Sequence, residues 1–139
     1  MIAHDASIRL ETKGNLDMHD LTDRVAEVVR DAGVTTGLAT VFVPGSTGGL
    51  TTIEFESGAL RDLAEAVERL VPENIAYAHN ARWGDGNGHS HVRAALLRPD
   101  LTIPIQKGRL TLGTWQQILF IDCDNRARRR EIVVTVVGQ

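Results

Sequence analysis

Apolar and polar positions along the chain fall into two periods, and the switches between them mark out the elements. Ile8 and Leu10 alternate with Arg9 and Glu11, the period-two pattern of a half-buried strand, which Lys13-Gly14-Asn15 breaks. Leu21, Val25, Val28, Val29 and Ala32 recur at helical spacing and predict an amphipathic helix. Gly33 is its expected stop, because glycine accepts the left-handed backbone of a helix C-cap. Residues 38–43 are apolar and β-branched between Gly37 and Pro44-Gly45, which predicts a buried strand. The small residues Ser46-Thr47-Gly48-Gly49 turn the chain into another strand over 51–56. Ser57 suits an N-cap. Leu60, Leu63, Ala64, Val67 and Leu70 form the apolar face of the helix that follows, and Pro72 ends it.

Residues 79–91 are polar, with Gly84, Gly86 and Gly88 at every second position, and are expected to form a loop. Three more strands are predicted over 101–105, 113–121 and 131–137, with Asp124-Asn125 as the turn before the last. Strands without regular βαβ alternation point to an α+β fold, a β-sandwich-like core carrying two main helices. The 139 residues are expected to form one domain, 1–139.

Composition narrows the function classes. Fifteen Lys and Arg oppose eighteen Asp and Glu, a formal net charge of -3, which argues against a general nucleic-acid binder. The single cysteine, Cys123, can form no internal disulfide, which fits a reducing cytoplasm. No basic segment with an apolar run opens the chain, and no apolar stretch approaches the roughly 20 residues of a membrane span, so neither export nor membrane insertion is expected.

Chemistry concentrates in the histidines. His89 and His91 form His-x-His, which on an extended chain turns both imidazoles to one side, and His79 can return across the glycines as a third ligand. Three protein ligands with an open position are the pattern of catalytic zinc. On spacing alone, a solvated loop whose histidines make ordinary hydrogen bonds is the more frequent outcome. Asp85 and Asn87 lie between the histidines as polar contacts. Glu54, with Glu56 on the same face, is a candidate ligand or general base, or else part of a solvent-facing pair. Arg126, Arg128, Arg129 and Arg130 either bind phosphate or guard a hairpin edge. Ser46 and Thr47 offer hydroxyls and backbone N–H groups to an anion, without the Gly-Lys-Ser/Thr ending of a P-loop. Cys123, between Asp122 and Asp124, reads as structural.

Longer motifs carry a resemblance. Ser90-His91-Val92-Arg93-Ala94-Ala95-Leu96-Leu97, Leu101-Thr102-Ile103-Pro104-Ile105 and Gly108-Arg109-Leu110-Thr111-Leu112-Gly113-Thr114-Trp115-Gln116-Gln117-Ile118 resemble the YjbQ-like family, whose members are called secondary thiamine-phosphate synthases. The similarity extends to Leu50-Thr51-Thr52-Ile53-Glu54 and to residues 130–138. It implies a homotrimer on a β-sandwich, with a site that uses His79, His91 and Glu54. The chain departs from the family at Gly45-Ser46-Thr47-Gly48, where many members carry His-Thr-Ser-Ala, and residues 80–88 resemble a distinct branch.

The implied reaction couples a pyrimidine-methyl diphosphate with a thiazole phosphate. On that reading His79 and His91, with His89 as a further candidate, hold a divalent metal, zinc or magnesium, and Glu54 acts as acid/base. Arg82, Arg109 and Arg129 contact phosphate. The usual enzyme of this step resembles a TIM barrel of roughly 250 residues, too long for this chain. Two other readings use the same residues. One is a metal-dependent hydrolase of a small phosphorylated metabolite. The other is a non-enzymatic trimer that binds metal or ligand.

Overall fold

The computed structural model describes residues 1–139. The chain runs β1 (Ile2–Thr12), β2 (Asp17–Asp20), α1 (Thr22–Ala32), β3 (Thr36–Phe42), β4 (Gly48–Ile53), α2 (Ser57–Leu70), α3 (Ala78–Trp83), α4 (Gly88–Leu97), β5 (Asp100–Gln106), β6 (Arg109–Leu110), β7 (Gln117–Asp122) and β8 (Arg128–Gly138). All strand pairs are antiparallel. One sheet has the order β1-β8-β3-β5-β6 and the other β2-β7-β4. The fold class is therefore mixed α+β, as the patterning indicates.

Period-two burial decides how the layers stack. Ala39 and Val41 of β3, Ile103 and Ile105 of β5, and Ile132, Val134 and Val136 of β8 point to one side of the larger sheet. There they meet Val25, Val28 and Val29 of α1 and Leu50, Ile118 and Phe120 of the smaller sheet in one core. Strand β7 is buried on both faces. Its alternate residues Leu119 and Ile121, with Cys123 beyond them, pack outward against Leu60 and Leu63 of α2 and Leu97 of α4. No helix is long and apolar enough to cross a membrane.

The structure corrects several sequence expectations. There are four helices rather than two, because residues 79–91 are not a loop. Gly84 (φ 65°) is the left-handed C-cap of α3, its N–H donating to the Asn80 carbonyl. Gly88 opens α4 pressed against Tyr77, where a Cβ would lie 2.7 Å from the Tyr77 Cβ. Glycines that suggested an unstructured run are thus a cap and a close contact. The strand expected over 51–56 is shifted to β4, so Glu54 lies beyond its end. Glu56, not Ser57, caps α2, accepting from the Gly58 and Ala59 N–H groups at 2.8 and 2.7 Å. These bonds hold its carboxyl below the usual carboxylate range. The strand expected over 113–121 starts only at Gln117, because the Gly113 N–H donates to the side-chain Oε1 of Gln116 and closes a turn there.

Candidate functional site

Helix α4 lies across β4, its Leu97 Cβ and Ala94 carbonyl against Gly49, and α3 lies beside it. In a helix, residues two apart differ by about 200° around the axis, so His89 and His91 face opposite ways. This overturns the extended His-x-His geometry. His89 is fully buried with its ring 6.2 Å from that of Tyr77, and its Nδ1 has no hydrogen-bond partner. Burial, with the Arg93 charge beside it, pushes its pKa below the usual histidine range. His91 faces outward, and its ring centroid lies 4.4 Å from that of His79.

The His79–His91 pair is the assembled part of the expected constellation. Asp85 Oδ1 lies 3.3 Å from His79 Nδ1, out of line for a hydrogen bond, so that buried nitrogen is unpartnered. Arg82 stands one turn along α3 from His79, with its guanidinium 5.3 Å from the Trp83 ring centroid. His91 also borders a shallow hollow of about 280 Å³ with Gly45, Ser46, Gly48, Ala94, Ala95 and Pro99. Ser46 is exposed there. Within the chain, no three His, Cys, Asp or Glu side chains gather closely enough to hold a metal ion.

The remaining expected residues lie elsewhere or are committed. Glu54 borders a different hollow, with Asp20, Asp23, Phe55, Glu56 and Trp115 among its neighbours. Most of β4, about 20 Å of extended chain, separates it from Gly48 at the histidine hollow. Arg109 lines a cavity against α1. Arg129 is 91 % exposed on the outer face of β8, with Glu11 at 3.8 Å. The buried Thr47 donates its hydroxyl proton to Asp124 at 2.9 Å and accepts from Arg130 at 2.7 Å. The buried Asn87 accepts from the Asn125 N–H, while its own N–H donates to Asp85. Thr47 and Asn87 therefore shape the site and do not present free groups to a substrate.

Beneath the hollow runs a network that motif reading missed. Asp122 is fully buried and accepts from Thr12 at 2.6 Å, from Arg130 Nε and Nη2 at 2.8 and 2.9 Å, and from the Asp124 N–H at 3.0 Å. These bonds raise the Arg130 pKa above its ordinary value. Asp124, also buried, pairs with Arg128 at 2.9 Å. Burial alone would raise its carboxyl, but hydrogen bonds from Thr47, Arg128 and Asn87 outweigh that and hold it low. The signal was the alternation Asp-x-Asp before the turn and Arg-x-Arg after it. Arg128 and Arg130 share one face of β8 while Arg129 takes the other, so the arginine run is not a single surface patch. Cys123 is buried, and burial with Asp122 beside it pushes its thiol up to about 12, consistent with an inert side chain.

Arg93 is a further buried cation on α4. It donates from Nε to the Val71 carbonyl at 2.9 Å and pairs with Glu68 through Nη2. It ties the end of α2 to the helix that carries His91.

Comparison with known proteins agrees with this architecture. The family model described as UPF0047 protein YjbQ-like matches residues 6–139. A UPF0047 protein of Archaeoglobus fulgidus is 37% identical over 126 residues, covering 91% of this chain and 96% of its own. One from Methanothermobacter thermautotrophicus is 36% identical over 139 residues, covering 100% of this chain and 95% of its own. Among solved structures, a YbjQ-like protein of unknown function from Sulfolobus solfataricus superposes with a TM-score of 0.94 at 28% identity, covering 99% of this chain and 98% of its own. A hypothetical protein from Aeropyrum pernix gives a TM-score of 0.90 at 31% identity, covering 97% and 98%. The chain belongs to the YjbQ-like UPF0047 protein family.

Proposed function

We propose that the protein is an enzyme acting on a small phosphorylated metabolite at the His79–His91 pair. The named case is the coupling of a pyrimidine-methyl diphosphate with a thiazole phosphate. The observation that carries this reading is the pair itself. Two imidazoles stand 4.4 Å apart, one with an unpartnered buried nitrogen, beside a hollow bordered by Ser46. Arg82 follows His79 by one helical turn and is placed to meet a phosphate. The rigid Asp122–Arg130–Thr47 network fixes the loop that carries Ser46, so the site is preorganised where it meets a ligand.

One chain supplies two imidazoles, one protein ligand short of a catalytic zinc site. A divalent ion there would be completed from outside the chain, and Glu54 reaches the histidines only from a second copy. A divalent ion held there would supply the charge that neutralises the departing diphosphate. A homotrimer suits both requirements. The outer face of the larger sheet leaves Leu38 and Phe42 of β3 exposed at 44 % and 42 %, in register with Val137 and Val133 of β8. An apolar sheet face of this kind is a natural interface between copies.

Purified protein given both thiamine precursors and Mg²⁺ is expected to form thiamine phosphate. His91→Ala is expected to abolish product and to lower the metal content of the native protein. No product above the His91→Ala background would overturn the reading. Hydrolysis in a phosphatase substrate panel, lost on chelation, would instead favour the metal-dependent hydrolase.

A further inference from the structure

A second cavity lies away from the histidines, between α1 and the β5–β6 hairpin. Its volume is about 590 Å³, and it shares no lining residue with the hollow beside His91. That size is within the usual range for a small-molecule site. Ala26, Val29, Leu110 and Leu112 supply its apolar lining. Arg30, Lys107 and Arg109 supply its charge, and no Asp or Glu is among its lining residues. The acids of α1, Asp23, Glu27 and Asp31, all lie outside that lining.

Two observations separate this cavity from an ordinary basic surface. First, Arg30, Lys107 and Arg109 are exposed, and none has a salt-bridge or side-chain hydrogen-bond partner, although the chain carries more acids than bases. Elsewhere Arg93, Arg128 and Arg130 are all committed to carboxylates. Second, the hairpin holds Lys107 at φ 52°, followed by Gly108 at φ 75°. A left-handed backbone is unfavourable for a lysine and natural for glycine or asparagine, so a strained position here carries a cation. The Gly108 N–H donates to the Thr35 carbonyl at 3.0 Å, which anchors the hairpin tip beside the end of α1, and Lys107, Arg109 and Arg30 line the same cavity.

We infer that this cavity is a binding site for a small organic phosphate monoester, with the phosphate held among Arg30, Lys107 and Arg109 and an apolar body against Val29, Leu110 and Leu112. Three cations suit a dianion, and guanidinium forks match the oxygens of a tetrahedral phosphate. The neighbouring hollow sets the other end of the ligand. It shares Thr22, Thr114 and Gln117 with the cavity and carries Asp20, Asp23, Glu54 and Glu56. A second anionic group reaching that way meets carboxylates, so a monoester is preferred over a ligand charged at both ends. The inference does not depend on the histidine site.

Phenyl phosphate is the probe, because it couples one phosphate to one apolar ring. In a ¹H–¹⁵N NMR titration of the intact protein, saturable shifts are expected at Thr35, Gly108, Leu110 and Leu112, and weaker ones in raised salt. Phenol, which lacks the charge, is expected to produce no saturable change at these positions. Lys107→Gln with Arg109→Gln is expected to weaken binding about tenfold or more, since hydrogen bonds to charged groups are lost. Both residues are exposed, so the variant is expected to keep its spectrum elsewhere, while His91→Ala is expected to bind as the wild type does. The inference is overturned by an unchanged affinity in the double variant, by shifts centred elsewhere, or by no saturable binding up to about 10 mM, beyond the weak millimolar range.

Discussion

The hollow beside His91 and the cavity beside α1 both depend on arginine, yet they treat its charge in opposite ways. Under the hollow, Arg128 and Arg130 lie against Asp124 and Asp122, whose carboxylates are fully buried. Beside α1, Arg30, Lys107 and Arg109 face one space with no acid in its lining. A buried, paired charge sets the shape of its surroundings, and its hydrogen-bonding capacity is spent inside the protein. An exposed, unpaired charge costs little to keep and remains free to meet a ligand. Arg128 and Arg130 thus supply structure, while three unpaired cations from α1 and the β5–β6 hairpin supply a candidate site.

The contrast can be broken most severely at Arg130. Arg130→Met leaves Asp122 buried without its guanidinium and is expected to destabilise the protein by about 3–5 kcal/mol in urea unfolding. Arg109→Met is expected to change stability by less than about 0.5 kcal/mol. Equal effects would remove the distinction. A smaller effect is expected at Gly88. An alanine Cβ there meets the Tyr77 Cβ at 2.7 Å. Gly88→Ala is expected to cost about 1–3 kcal/mol through overpacking, and to shift α4 so that the His79 and His91 signals move together in NMR spectra. Wild-type stability in that variant would mean that α4 tolerates a different seating on α3. The smallest effect is expected at Lys107. Lys107→Gly relieves the left-handed strain and is expected to add about 0.5 kcal/mol of stability while weakening phenyl phosphate binding. A stability loss there would show that the lysine is not strained for the sake of the cavity.

Much of the fold was legible because burial imposes a period. The α1 stripe from Leu21 to Ala32 and the alternation of β8 are direct images of one buried face each. Strands β2 and β6, with four and two residues, are too short for a period to register and form only because β7 and β5 are there to pair with them. The helices α3 and α4 were hidden for another reason. Glycine at every second position reads as a loop until Tyr77 and the cap geometry show what each one does. Of the candidate site, the choice of His79 and His91 rested on the family resemblance, and the structure brings their rings together. It turns His89 inward, and it sends Glu54, Arg109 and Arg129 to other surfaces.

The sequence alone determined the α+β class, the family, most strand and helix positions, and the segment from His79 to His91 as the place to look. All of these follow from local periodicity or contiguous motifs. The tertiary structure decided which charges are paired, which histidines meet, and where the open cations gather. Those outcomes depend on residues far apart in the chain, such as Thr47 with Asp124 or Thr35 with Gly108, whose proximity is a product of sheet register and helix packing.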